Sequence, residues 1–522
     1  MRIPLFKLIA RNYDKAILVL ILLIASFVRL YRIMDYITFL GDEGRDVMVV
    51  YRILHGDFTL LGPTASVGGF FLGPIYYYFM APFLWLFNYN PVGPAIMVAI
   101  FGIATVWLIY KIGKEFFGAS VGLIASGLYA ISPLVIIYSR SSWNPNLVPF
   151  FSLLTLYVTY KALKNNSIKL LVLAGVLFGI LMQLHYLAIF LGVIVGAYIL
   201  LLRFTFSISD IFPAILKQYL YLLLGFTIGW SPFLLFEIRH DFLNIISIFN
   251  FVTHSGDTGG GIHFFDTINN VFFRIFARLV ANFPTPEKMS TVAEANIKLW
   301  ENASLLLGLS GIFILVLKCV KSYIRRSNDF AKYSLFLLWL LIGVGFFGFY
   351  KKSIYDYYFG FMFPLPFLII GILIKSLWTN KIGKFLSILI LLILVWLNSL
   401  NPPYKAPANK QLNQAEEISK FVIDKTNNKP FNFALITGGN SDHAYRYFFT
   451  VWQKEPITIE TMEKDPDRKT VTNQLLVVCE EAVCEPLGHP IWEIAGFGKA
   501  EIVDKWDVSV VKVYKLKRSD SN

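Results

Sequence analysis

Charge and cysteine are what this chain has least of. Only 16% of its 522 residues are charged and only 3 are cysteine. It carries no P-loop, no GxGxxG run, no HExxH and no CxxC. Those absences remove nucleotide-driven pumping, a Rossmann-type nucleotide-sugar enzyme and the common zinc sites. What is present is apolar: 56% of the residues are hydrophobic, with 48 Phe and 27 Tyr, far from the composition of a soluble domain. A polytopic membrane protein follows. The formal net charge of +13 raises the question of nucleic acid. The Lys and Arg fall in short clusters between apolar runs, however, as at cytoplasmic loop ends facing anionic lipid, and no basic face or nucleic-acid motif is present.

Apolar stretches of spanning length lie at residues 16–34, 91–110, 119–138, 147–162, 170–185, 187–202, 219–236, 303–318, 333–349, 359–374 and 385–400, which predicts about eleven transmembrane helices. The first follows Arg2, Lys7, Arg11 and Lys15, lacks a small-residue cleavage site and runs on into Arg29 and Arg32, so it reads as a retained span. A further apolar stretch, 70–87, is decided by parity. If it does not cross, the basic connectors 111–114, 161–169, 203–217, 318–332 and 375–384 all share the side of the basic N-terminus, as the positive-inside rule asks. Gly68, Gly69, Gly73, Pro74 and Pro82 also break a straight helix there, so an interfacial or re-entrant segment is expected.

This topology puts the N-terminus in the cytoplasm of a multi-pass plasma-membrane protein. Outside lie a first loop at 35–90, a short loop at 140–146, a long loop at 237–302 and the tail from 401. Residues 1–400 form the membrane domain. Residues 401–522 alternate charge, turns and short apolar runs, and read as a small extracytoplasmic α/β domain: helices at 411–425 and 442–452, strands at 431–436, 475–478 and 508–514. Cys479 and Cys484 there either form a local disulfide or stay as thiols, and Cys319 lies at a cytoplasmic span end. In the long loop, 256–261 is a glycine-rich tip suited to a movable lid, and 264–283 reads as a surface helix with Arg274 and Arg278 one turn apart.

Gly41-Asp42-Glu43-Gly44 is the most informative motif, because it places two adjacent carboxylates about eight residues beyond the first span. On a helix their side chains diverge by roughly 100 degrees, so one can act while the other orients. The competing reading is that both merely favour the N-terminus of a helix through Val47, Met48, Val49 and Arg52.

Gly41-Asp42-Glu43-Gly44-Arg45-Asp46, then His55-Gly56-Asp57, Leu72-Gly73-Pro74-Ile75-Tyr76-Tyr77-Tyr78 and Ala81-Pro82 resemble the first outer loop of polyprenyl-phosphate-sugar-dependent glycosyltransferases. That group includes protein O-mannosyltransferases, aminoarabinose transferases acting on lipid A, and lipopolysaccharide galacturonosyl and mannosyl transferases. The likeness continues through 111–118, Ile131-Ser132-Pro133 and 138–146, and more loosely to 401; it covers no motif of the tail.

The resemblance implies a GT-C fold and an inverting transfer from a polyprenyl-phosphate-linked sugar to an acceptor hydroxyl on a glycan, lipid or protein. It makes Asp42 the catalytic base, with Glu43 beside it. The leaving phosphate needs little general acid but does need cations and tyrosines. The expected set is Arg140, Asn144, Asn146, His185, Arg239, Lys352 and Tyr358.

Two departures from the family pattern stand out. Leu72-Gly73-Pro74-Ile75 replaces His-Pro-Pro-Leu, and Asn144 or Asn146 replaces an acid of the second loop. The second departure weakens a shared metal cage, so no cofactor is expected, although a divalent metal is not excluded. The rival function is a transporter or flippase of lipid-linked sugars, which calls for internal repeats and mid-span charges that this sequence lacks. A non-catalytic scaffold is the third reading, and an acidic pair in an otherwise apolar, family-like loop speaks against it.

Overall fold

A computed structural model describes residues 13–65, 68–206, 211–254, 263–285, 289 and 292–519. The basic residues Arg2, Lys7 and Arg11 and the expected lid tip at 256–261 lie outside the described residues. The chain divides into two compact units, one of 1–31, 59–76 and 96–407, the other of 32–58, 77–95 and 408–522.

The first unit is helical. Among the described residues, six helices are long and apolar enough to cross a membrane: Val92–Phe117, Tyr186–Thr205, Ile211–Gly229, Glu294–Ile324, Phe330–Phe349 and Lys381–Lys405. A bent pair, Asp356–Met362 and Pro364–Leu377 at 57°, makes a seventh if counted as one span. All eleven predicted stretches contain helix, yet length and composition do not return eleven spans. The reason is local. Ala119–Ile131 stops at Ser132 because Pro133 cannot donate into the preceding turn, and Ile168–Leu184 ends one residue short of His185. Ile75–Leu86 has 12 residues and an internal Pro82. Its length of about 18 Å falls short of a bilayer core of about 30 Å, in keeping with a segment that does not cross.

Glycine decides how closely these helices approach. Gly175 and Gly179 face Gly225 and Gly229, and a methyl group added at Gly175 or Gly225 would overlap the carbonyl of Leu222 or Val172. Without a hydrophobic driving force between helices in lipid, such backbone-to-backbone packing supplies the association.

The second unit holds a four-stranded sheet of order β1-β2-β4-β3: β1 (Asn432–Ile436), β2 (Gln474–Cys479), β3 (Ala500–Val508) and β4 (Val511–Arg518). β1 and β2 are parallel, and the other two pairings are antiparallel. Ala434, Ile436, Leu475, Val477, Tyr514 and Leu516 form the core with Ile459 and Phe497. Helices Gln411–Thr426 and His443–Val451 occupy the expected places.

The predicted strand 508–514 is corrected. It straddles a hairpin turn at Ser509 and Val510, with Val508 paired to Val511 and Ser509 at φ 55. β3 was missed because Glu501, Asp504, Lys505 and Asp507 make it a charged edge strand with little apolar period. Cys479 and Cys484 are joined as a disulfide.

Candidate active site

Helix Gly41–Leu54 carries the acidic pair, and its start explains how the two carboxylates differ. Leu40 is extended, and the Glu43 Oε2 accepts the Leu40 N–H at 3.1 Å, which closes the helix N-terminus on itself. The Gly41 N–H, another donor with no partner inside the helix, goes to Asn440 Oδ1 at 2.8 Å. Asn440 in turn donates to Glu480 at 3.4 Å, and Glu480 also accepts from Thr437 and Tyr445 at 2.8 and 2.7 Å. Gly41 and Gly44 are small for a packing reason. A methyl group at either would overlap Ser441 or Ala444, where helix His443–Val451 crosses. Val47, Val50 and Ile53 are buried along the helix, and Phe39 packs edge-on against Tyr447 and Phe448 at 6.1 and 5.8 Å.

One oxygen of Glu43 is therefore engaged at the helix start, while the Asp42 side chain stays 67% exposed. Its Oδ1 accepts from Arg45 Nη1 at 2.9 Å. Arg45 is itself anchored: Nη2 and Nε donate to Oδ1 of buried Asp46 at 2.8 and 3.0 Å, and Tyr77 adds its hydroxyl at 3.1 Å. The chain Tyr77, Asp46, Arg45, Asp42 thus orients an open carboxylate from a buried base. Burial pushes Asp46 up to about 6, against the pull of Arg45, and pushes Glu43 up to about 7, against its bond to Leu40. Sequence reasoning gave Arg45 and Asp46 no role, although the helical spacing of Asp42, Arg45 and Asp46 is visible in it. Asn440 and Glu480 left no sequence signal.

The other expected residues belong to the membrane unit. Arg140 is buried and donates to the carbonyls of Val28 and Tyr31 at 3.1 and 2.7 Å, so it satisfies acceptors at the end of helix Tyr13–Leu30. Asn144 and Asn146 donate their amides to the carbonyls of Leu184 and Ser141 at 2.6 and 2.8 Å. His185 is buried, takes the Leu187 N–H at 3.3 Å on Nδ1, and stacks on Tyr186 with ring centroids 4.7 Å apart. Its ring lies 5.8 Å from those of both Tyr357 and Tyr358, and Trp143 lies 4.4 Å from Tyr357. The structure thus gathers Trp143, Asn144, His185 and Tyr358. It leaves Arg239 exposed at the end of helix Ser231–Arg239 and Lys352 exposed before Tyr355.

Among solved structures, ArnT from Cupriavidus metallidurans bound to undecaprenyl phosphate is similar with a TM-score of 0.59 at 12% identity, over 96% of this chain and 97% of that one. The archaeal oligosaccharyltransferase AglB from Archaeoglobus fulgidus, in complex with an inhibitory peptide and a dolichol-phosphate, is similar at 0.52 and 14%, over 90% of this chain and 70% of that one. The chain has the GT-C fold. Residues 72–235 match the family model of dolichyl-phosphate-mannose-protein mannosyltransferase, and no curated protein matches the sequence.

Within the membrane unit of this GT-C chain lies a charge cluster that the sequence had put on the surface. The stretch 264–283 is not one surface helix: Phe264–Phe273 is followed by a π-helical turn, Arg274–Val280. Arg274 is buried and donates to Asp356 Oδ1 at 2.6 Å, and Arg278 reaches Asp356 Oδ2 at 3.1 Å. The wider π turn carries both guanidiniums to the same carboxylate. Two cations share one anion, which leaves a net positive centre close to Tyr138.

Proposed function

We propose that this GT-C chain transfers a sugar from a polyprenyl-phosphate donor to an acceptor hydroxyl on the outer face of the cytoplasmic membrane, with inversion at the anomeric carbon. The observation that carries the reading is the exposed Asp42 carboxylate held by Arg45 on buried Asp46. A base that must meet an incoming hydroxyl needs an open oxygen and a fixed direction, and this arrangement supplies both. Asp42 takes the acceptor proton as the hydroxyl oxygen bonds to the anomeric carbon, and the bond to the phosphate oxygen breaks. The departing phosphate is already a stable anion, so it requires cations rather than a proton. Within the membrane unit, Arg274 and Arg278 are the cations paired on one acid, whereas the Arg140 guanidinium is occupied by backbone carbonyls. Tyr358 and the rings around it line the path of the lipid.

The likeness to two glycosyltransferase structures whose bound lipids are polyprenyl phosphates supports this reading over a transporter. The test is to incubate reconstituted wild-type and Asp42→Asn protein with radiolabelled polyprenyl-phosphate sugars and a cell-envelope extract. Label in a non-polyprenyl product with the wild type alone is the expected result. Label that crosses the vesicle membrane unchanged with both proteins would make the chain a transporter.

A further inference from the structure

A cavity of about 550 Å³ opens where three helices of the membrane unit end, and it has no part in the reaction proposed above. Lys164 stands in the last turn of Val148–Lys164, Arg203 in the last turn of Ile189–Phe206, and Lys332 in the first turn of Phe330–Gly345. All three line it, and no acidic side chain does among the described residues. Buried Tyr160 and Tyr198 form its floor.

The nearest counter-charges lie outside the lining. Lys332 pairs with Asp329 at 2.7 Å, and Asp329 is itself 54% exposed. Glu115 is taken by Lys161 and Tyr157. Arg203 spends Nε on Gln218 at 3.0 Å, which leaves the two Nη groups as its remaining donors. Lys164 lies over the Tyr160 ring at 5.8 Å. The balance is positive, and it is positive around a hollow rather than on an open surface.

Basic residues at span ends ordinarily just face the lipid headgroup region. Two things separate this group from that background. The cations come from three helices and converge on one concavity, and Leu200 and Phe204, one turn apart on the helix that carries Arg203, are exposed apolar side chains. A headgroup held by the cations would leave its acyl chains against those two residues.

We propose that this cavity binds the phosphate headgroup of an anionic phospholipid from the surrounding leaflet, with Arg203, Lys332 and Lys164 as its ligands. The shared chemistry is a phosphate anion, and the apolar flank selects the lipid over free phosphate.

The test is native mass spectrometry of the full-length protein in detergent, titrated with phosphatidylglycerol, with phosphatidylcholine, or with phosphatidylglycerol plus 10-fold excess inorganic phosphate. The variants are Arg203→Gln, Lys332→Gln and the rim variant Lys164→Gln. Lys111→Gln, a basic residue of another connector outside the cavity, is the control. The expected result is preferential retention of phosphatidylglycerol, weakened about fivefold by each cation neutralised and unchanged in Lys111→Gln and in the phosphate competition. If Arg203→Gln or Lys332→Gln fails to fold, Lys164→Gln, which alters an exposed side chain, carries the same expectation. Equal retention of the two lipids, or retention unchanged in the cavity variants, overturns the proposal. Displacement by inorganic phosphate overturns the assignment to lipid.

Discussion

Asp42 and Glu43 are neighbours in the chain with different surroundings. Glu43 folds back onto the Leu40 N–H while Asp42 projects outward onto Arg45. Replacing Asp42 by Asn keeps its size and its bond capacity but removes the base, and kcat should fall by about 10²- to 10⁴-fold with little change in KM. Arg45→Gln should lower kcat less, because the carboxylate survives and only its direction is lost. Single-turnover rates on the radiolabelled donor separate the two.

Glu43 makes a different prediction. Its pKa rises from an ordinary 4.5 to about 7 in the fold through burial, so the folded state holds that proton more tightly than the unfolded one. Stability from this group is therefore fully present below pH 4.5 and declines as pH rises through about 7. Glu43→Gln should flatten the dependence of thermal stability on pH across that window. A melting profile just as steep as that of the wild type would count against the assignment.

At the scale of elements, the helices were legible because each apolar stretch is long relative to a turn. Their breaks were not: 119–138 reads as one stretch in the sequence, and Pro133 divides it only in the structure. Edge strand β3 and the hairpin at Ser509 were not legible either, because a solvent-facing strand has no need of an apolar face and the turn lacks the usual Asn-Gly signal. The glycines of the acidic motif were visible, but the close helix crossing that requires them was not. Gly44→Val should therefore destabilise the second unit by driving the helix off Ala444, a loss visible as increased protease cleavage after Arg52. Gly225→Leu should do the same to the pairing of Ile168–Leu184 with Ile211–Gly229. The Cys479–Cys484 bridge closes a short loop, so the double serine variant should lose about 2 kcal/mol of stability by the loop-entropy estimate. A calorimetric scan with and without reductant checks it.

Over the whole molecule, the tail is more than an appendage to a membrane domain. The chain segments 32–58 and 77–95 share one compact unit with 408–522, so the helix bearing Asp42 has its hydrophobic partner in residues 443–451. A chain ending at Pro407 should still insert but should lose transfer activity, with proteolysis opening the 41–54 segment. Full activity of that truncation would overturn the role given to the tail. Turnover should also withstand a chelator, and loss of activity restored by Mn2+ would reinstate a metal.

Composition and charge pattern alone determined that the chain is a multi-helix membrane protein. The resemblance of the motif around Asp42 to a known first outer loop pointed to the acid, while helical spacing alone left a helix N-terminus as the competing reading. Which carboxylate is free, which guanidinium is already spent on carbonyls and which cations share a single acid depend on contacts between residues far apart in the chain. Such contacts exist only once helices and sheet have packed, so the tertiary structure alone decided them.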